Sequence, residues 1–142
     1  MGTIEFTMRD HLTPALKAKL AQISNKKPIL EKMGRAAVTI SKEAFTDESL
    51  RPNKWKPKKD KSPATLVQTG ELKDSLLALP PSSDMIEVGS KSQYARAQNF
   101  GYEPRNLPAR PFWPFVEGGD IFAPAQKAIF SAMKAAVEKA LR

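Results

Sequence analysis

Apolar residues recur along most of the chain either at every second position or at helical spacing, and this pattern predicts the elements. Residues 3–9 alternate between apolar and polar side chains, which is typical of a half-buried strand. Two helices are predicted next: one begins at Pro14 with Thr13 as its N-cap, and a longer one runs from Pro28 to Ala44. Each carries an apolar stripe, so we expect both helices to pack against a core.

The second half of the chain predicts a hairpin and two further helices. Residues 75–79 and 85–89 are expected to pair as antiparallel strands around a turn-forming cluster. A short helix is expected over residues 92–100, and a terminal helix begins at about Ile121. The prediction is therefore an α+β fold in a single domain of residues 1–142, with a small antiparallel sheet packed by the N-terminal helical region and the C-terminal helix.

A basic loop over residues 46–65 interrupts this periodicity. It holds three prolines and one aromatic residue, Trp55. A stretch of about 20 residues without periodicity is long for a loop inside a compact domain, so we interpret it as a flexible basic loop or arm. Much of the net charge of +8 is concentrated here, in Arg51, Lys54, Lys56, Lys58, Lys59 and Lys61. A solvated loop and a contact with a polyanion both remain open.

Residues 94–115 combine six aromatic residues, four prolines and three arginines, and we call their proline-rich part, residues 102–115, the strap. Aromatic residues and arginine anchor interfaces, and closely spaced prolines keep a chain extended. Stacking of nucleic-acid bases on the exposed rings is the alternative. We expect Phe100 and Phe112 in the core, whereas the placement of Trp113 and Phe115 stays open.

Composition argues against catalysis. The chain has no cysteine and a single histidine, His11, whereas zinc and other transition metals favour cysteine and histidine ligands. The glycines form no phosphate-binding motif, and no apolar run approaches the roughly 20 residues that span a bilayer. We therefore expect no enzyme activity, no cofactor, no metal, no small-molecule substrate and no membrane partner.

Several short motifs follow one another in a characteristic order. They are Trp55-Lys56-Pro57, Leu66 to Leu76 with Thr69-Gly70 and Leu72, Val88-Gly89, Tyr94-Ala95, Asn99-Phe100-Gly101 and Pro108-Ala109-Arg110-Pro111-Phe112. This succession resembles the virion morphogenesis family of tailed bacteriophages, the small neck and tail-completion proteins. Two departures, Arg96 to Asn99 before Phe100-Gly101 and the lysine-rich loop, leave the exact partner open.

The resemblance implies a structural subunit of the head-tail connector or the tail end, which forms a ring with copies of itself, as a hexamer or dodecamer, and contacts neighbouring neck and tail proteins. It implies location in the virion, in the host cytoplasm before assembly, and non-specific contact with DNA in a channel. The expected interface or channel residues are Trp55, Lys56, Lys58, Lys59, Lys61, Arg110, Trp113 and Phe115. The residues expected to hold the family fold are Thr69, Gly70, Leu72, Gly89, Tyr94, Phe100, Gly101, Pro108, Arg110 and Phe112.

Two questions stay open at this point. Arg110 is placed to pair bidentately with a carboxylate of its own or a neighbouring subunit, or the motif around it forms a purely intramolecular clamp. The alternative function is a basic nucleic-acid-binding module that uses the lysine-rich loop and the aromatic strap.

Overall fold

The computed structural model describes residues 14–58, 71–82, 85–114 and 121–141, together with the backbone of residues 3–5. Predictions that concern Thr13, Lys59, Lys61, Thr69, Gly70 and Phe115 lie outside the described residues. The described part is an α+β arrangement of a three-stranded antiparallel sheet and helices, as the sequence predicts.

The N-terminal helices are α1, Pro14–Ala21, and α2, Lys27–Glu43. Pro28 lies in the first turn of α2, where a missing N–H costs no helical hydrogen bond. The buried face of α2 includes Ile29, Met33 and Ala37, so the stripe is centred close to the prediction. No side chain of α1 is fully buried, and this helix lies at the edge of the core rather than within it.

The sheet has the strand order β1-β3-β2, with β1 Thr3–Glu5, β2 Leu76–Ala78 and β3 Glu87–Ser90. Both pairings are antiparallel, with Ile4 opposite Val88 and Ala78 also opposite Val88. The predicted hairpin is therefore confirmed. A single helical turn, α3, Glu71–Asp74, leads into β2.

Helix α2 crosses the sheet closely because one of its residues has no side chain. A Cβ added at Gly34 would lie 2.8 Å from Cγ1 of Ile86 and 2.9 Å from Cβ of Ala78. Such distances are too short for real carbon atoms, so a larger residue would push the helix away from the sheet.

The remaining helices are α4, Ala95–Phe100, and α5, Ala123–Ala140. Helix α5 packs along α2 and buries Ala125, Ile129, Met133 and Val137, close to the predicted stripe. The core lies between these two helices and the inner face of the sheet. Among the described helices, none is both long and apolar enough to cross a membrane.

Candidate interaction site

The strap is fastened to the rest of the molecule through Arg110, whose side chain is 7% exposed. Its Nε donates a hydrogen bond to the carbonyl oxygen of Lys56 at 2.9 Å, and its Nη2 donates to that of Pro57 at 3.1 Å. Its backbone N–H also donates to the carbonyl oxygen of Gln98 at 2.7 Å. The arrangement within one chain is therefore the intramolecular clamp, built on backbone carbonyls instead of a carboxylate.

Trp55 fastens the same two segments from the other side. Its indole Nε1 donates a hydrogen bond to the carbonyl oxygen of Pro111 at 2.7 Å, and its ring is buried edge-on against Phe45 with centroids 5.8 Å apart. The predicted flexible basic loop or arm of residues 46–65 therefore does not describe residues 55–57, which are tied to the strap. The physical reason is that a buried indole N–H needs an acceptor, and the strap supplies one.

Arg51 connects this segment to the end of α2. Its Nε donates to the carbonyl oxygen of Ala44 at 2.7 Å and its Nη2 to that of Phe45 at 3.1 Å, while the guanidinium lies 3.6 Å from the ring centroid of Trp55. Carbonyls at a helix C-terminus lack helical partners and carry partial negative charge, so a guanidinium suits them. In the sequence, Arg51 is recognisable only as part of a basic run.

The turn that leads to Arg51 is itself stabilised locally. Residues Glu48–Leu50 form one 3-10 turn, and Asp47 caps it by accepting from the backbone N–H and the hydroxyl of Ser49. These two hydrogen bonds hold the pKa of the Asp47 carboxyl below its ordinary value. Partial burial lowers the pKa of Arg51, and the neighbouring carboxylates of Glu48 and Asp47 oppose that shift.

Asn99 is a second residue whose role the sequence did not reveal. Its side chain is buried, and Oδ1 accepts hydrogen bonds from the backbone N–H groups of Phe112 and Trp113 at 3.0 and 3.1 Å. Helix α4 thereby fixes the end of the strap. The only signal was its place directly before Phe100-Gly101, where the sequence departs from the family pattern.

The aromatic residues of residues 94–114 divide into a buried and an exposed group. Phe112 and Trp113 are buried, with ring centroids 5.7 Å apart, and Phe112 also contacts Phe45. The core prediction for Phe112 is confirmed, and Trp113 joins it. The same prediction for Phe100 was wrong, because Phe100 is 60% exposed at the end of α4.

Two of the exposed aromatic residues line a groove. Tyr94 and Tyr102 are 58% and 49% exposed and line a groove of about 860 Å³ between α4, the strap and residues 56–58. Lys56, Lys58 and Arg105 also line this groove, and none of its described lining residues is an aspartate or a glutamate. The groove is therefore both aromatic and cationic.

The walls of this groove are held by backbone contacts. Tyr102 and Leu107 exchange two backbone hydrogen bonds of 2.9 and 3.0 Å around a 3-10 turn, Glu103–Arg105. Gly101 has a φ of 81°, and a Cβ there would lie 2.9 Å from the backbone nitrogen of Ala109. The strap thus turns back toward α4 through a backbone conformation that glycine adopts readily.

The structure brings together only part of the predicted set of interface or channel residues. Trp55, Arg110 and Trp113 lie inside the molecule, whereas Lys56 and Lys58 remain on the surface beside the groove. Among the predicted fold residues, Leu72 packs against the core, Gly89 is buried in β3 and Pro108 lines the groove.

One residue that lines the groove, Gln98, carries a polar atom without a hydrogen-bond partner among the described residues. This atom is Oε1, which is buried and not exposed in the groove. A buried polar atom left unpaired costs about 1–3 kcal/mol, so such atoms in folded proteins call for an explanation.

Nothing in the described part of the chain groups histidine or acidic side chains in a way that would hold a metal ion. Comparison with protein-family models, with curated proteins and with solved structures finds no match to this chain.

Proposed function

We propose that this chain is a non-catalytic structural subunit of a tailed bacteriophage or prophage, which assembles into a ring at the head-tail junction or the tail end. The observation that supports this proposal is the convergence of three motifs that carry the resemblance. Trp55-Lys56-Pro57 lies far from the other two in the sequence, and it meets Asn99-Phe100-Gly101 and Pro108 to Phe112 in one hydrogen-bonded unit.

The chemistry of that unit favours a structural role. Its polar side chains, Trp55, Asn99 and Arg110, all bind backbone groups of their own chain. Polar groups engaged in this way are not available for proton transfer or nucleophilic attack, but they hold a surface in a fixed shape. A fixed surface reduces the entropy cost of docking to a neighbour.

Native mass spectrometry of the purified protein tests the proposal. We expect a defined oligomer larger than a dimer at high protein concentration, and the protein located at the neck or tail in electron-microscopy maps of whole particles. A strict monomer at every concentration, together with tight DNA binding that weakens steeply with salt, would contradict it.

The second candidate is the basic nucleic-acid-binding module, and exposed cations favour it. Lys54, Lys56 and Lys58 are exposed on one short segment, and Lys56 and Lys58 line the groove together with Tyr94 and Tyr102. Cations next to exposed aromatic rings are the composition of single-strand binding surfaces.

Both candidate functions make the same prediction for a variant with alanine in place of Lys54, Lys56 and Lys58. We expect assembly or DNA retention to be impaired while the thermal midpoint stays nearly unchanged, because exposed side chains contribute little to stability. The matched control replaces Lys17, Lys134 and Lys139, which are equally exposed and remove the same charge. Equal loss of function in both triple variants would show that only net charge matters, and a large drop in midpoint would place the lysines in the core.

A further inference from the structure

The hydrogen bonds of the Arg110 clamp assign no role to the groove between α4, the strap and residues 56–58. Its charge is one-sided: Lys56, Lys58 and Arg105 lie around it, and no described lining residue is acidic. The guanidinium of Arg110 also reaches this wall, but it is engaged by two backbone carbonyls. The side chains of Lys56, Lys58 and Arg105 have no hydrogen-bond or ion-pair partner among the described residues, so they select for an occupant that carries negative charge.

Much of the remaining lining is apolar. Ala97, Leu107 and Pro108 lie alongside the exposed rings of Tyr94 and Tyr102. Aliphatic walls give a sugar-phosphate backbone nothing to bind, whereas they suit the apolar side chains of a peptide. Exposed tyrosines of this kind are the anchors of many protein interfaces.

The groove is also preformed. The paired backbones of Tyr102 and Leu107, the turn at Gly101 and the clamp of Arg110 fix its walls before any partner arrives. Preformed walls spare the entropy of ordering and favour the capture of a short flexible segment.

We propose that this groove docks an extended acidic segment of a different protein, with carboxylates on Lys56, Lys58 and Arg105 and an apolar side chain between Tyr94 and Tyr102. The proposal rests on the structural role given above, since it names the chemistry of a neighbour in the assembly.

Selection from a display library of random linear peptides on the purified protein tests this docking site. We expect the enriched peptides to combine aspartate or glutamate with one aromatic or aliphatic residue. A synthetic, fluorescently labelled peptide with their consensus sequence should bind the protein, as measured by fluorescence anisotropy. Its affinity should fall by about tenfold or more in the single variants Arg105→Glu and Tyr102→Ala.

The control variant is Lys134→Glu, which makes the same charge change on the exposed face of α5 and should leave peptide binding unchanged apart from screened long-range attraction. Thermal midpoints of the variants verify folding, because Arg105 and Tyr102 are exposed. Failure to enrich any peptide, enrichment of peptides without carboxylates, or binding that survives Arg105→Glu would overturn the proposal.

Two competing occupants are separate outcomes, and each contradicts the proposal. Single-stranded oligothymidine that displaces the peptide and binds more tightly in the same groove would assign the groove to nucleic acid. An oligomer that Arg105→Glu dissolves would assign it to a second copy of this chain. Ring formation without peptide binding defeats only this inference, whereas peptide binding by a strict monomer defeats only the proposed ring.

Discussion

Arg110 shows how one side chain determines the position of a whole segment. Its planar guanidinium satisfies two neighbouring carbonyls, those of Lys56 and Pro57, at once. A lysine ammonium is a compact charge that does not reproduce this forked geometry. We therefore expect Arg110→Lys to lower the free energy of unfolding by about 1–3 kcal/mol, because at least one charge-assisted hydrogen bond is lost.

Urea denaturation of the two proteins measures this difference. Arg105→Lys is the matched control, since Arg105 lies on the same strap but is exposed, and its substitution should change stability very little. Equal stability of the Arg110→Lys variant and the unaltered protein would show that the two hydrogen bonds do not hold the strap.

The hydrogen-bond partners of the side chains were the part of the site that the sequence predicted least well. The predicted burial of Phe112 is confirmed, but Phe100, for which burial was also predicted, belongs to a helix so short that periodicity could not assign its face. Asn99 and Arg51 bind backbone groups that are 13 and 7 residues away. Such partners are brought close by the tertiary fold, and the local sequence pattern carries no information about them.

Residues 51–58 form no helix or strand, and yet hydrogen bonds hold Arg51, Trp55 and the carbonyls of residues 56–57 in place. The absence of periodicity correctly indicated irregular structure, but it did not distinguish an anchored segment from an arm. The anchoring depends on Trp55, which contacts Phe45 and Pro111. Irregular segments fixed by hydrogen bonds to distant carbonyls leave no signal in hydrophobic spacing.

Tryptophan fluorescence measures this anchoring directly. In Trp113→Phe, Trp55 becomes the single tryptophan, and we expect short-wavelength emission that acrylamide quenches weakly, because the ring is 6% exposed. Trp55→Phe provides the reference, since Trp113 is 3% exposed. Strong quenching of Trp55 alone would return the segment to the predicted flexible arm.

The turn after α4 depends on the backbone of Gly101. Its φ of 81° and ψ of 168° belong to a region that only glycine adopts readily, and a Cβ would lie 2.9 Å from the carbonyl oxygen of Leu107. We expect Gly101→Ala to destabilise the protein by about 1–3 kcal/mol from backbone strain, with further cost from the close contact.

Asn106 provides the matched comparison, because it also has a positive φ, of 52°, in the left-handed region that asparagine tolerates. Asn106→Gly should leave the thermal midpoint unchanged or slightly raised. If Gly101→Ala proved as stable as the unaltered protein, the strap would have to follow a different path from α4.

The larger elements were the most predictable. Helices α2 and α5 have long periodic stripes, and the β2–β3 hairpin has apolar runs on either side of a turn cluster, so pattern alone located them. Pattern did not assign a partner to β1, because pairing of the first strand with β3 requires contact across more than half of the chain. Nor did it show that α1 lies at the edge of the core.

The molecule as a unit carries a net charge of +8, with cations on α1, on residues 54–58 and on α5. Like charges repel more when they are held together in the folded state than when the chain is unfolded. Salt screens this repulsion, so we expect the thermal midpoint to rise with sodium chloride at constant pH.

Glutamine at Lys54, Lys134 and Lys139 should flatten that dependence, because three exposed positive charges are removed. Differential scanning calorimetry across a salt series provides the measurement. A midpoint that fell with added salt would mean that attractive ion pairs outweigh repulsion in the folded state.

The hydrogen bonds between residues 55–57 and 110–111 join positions that lie 53 to 56 residues apart. A cut made between residues 59 and 70 would leave β1, α1, α2 and Trp55 on one piece, and the hairpin, the strap and α5 on the other. Each piece would keep one side of the contacts that join the two pieces: β1 with β3, α2 with α5, and Trp55 with Pro111. The molecule is thus suited to being made as two complementing fragments whose reunion restores the groove.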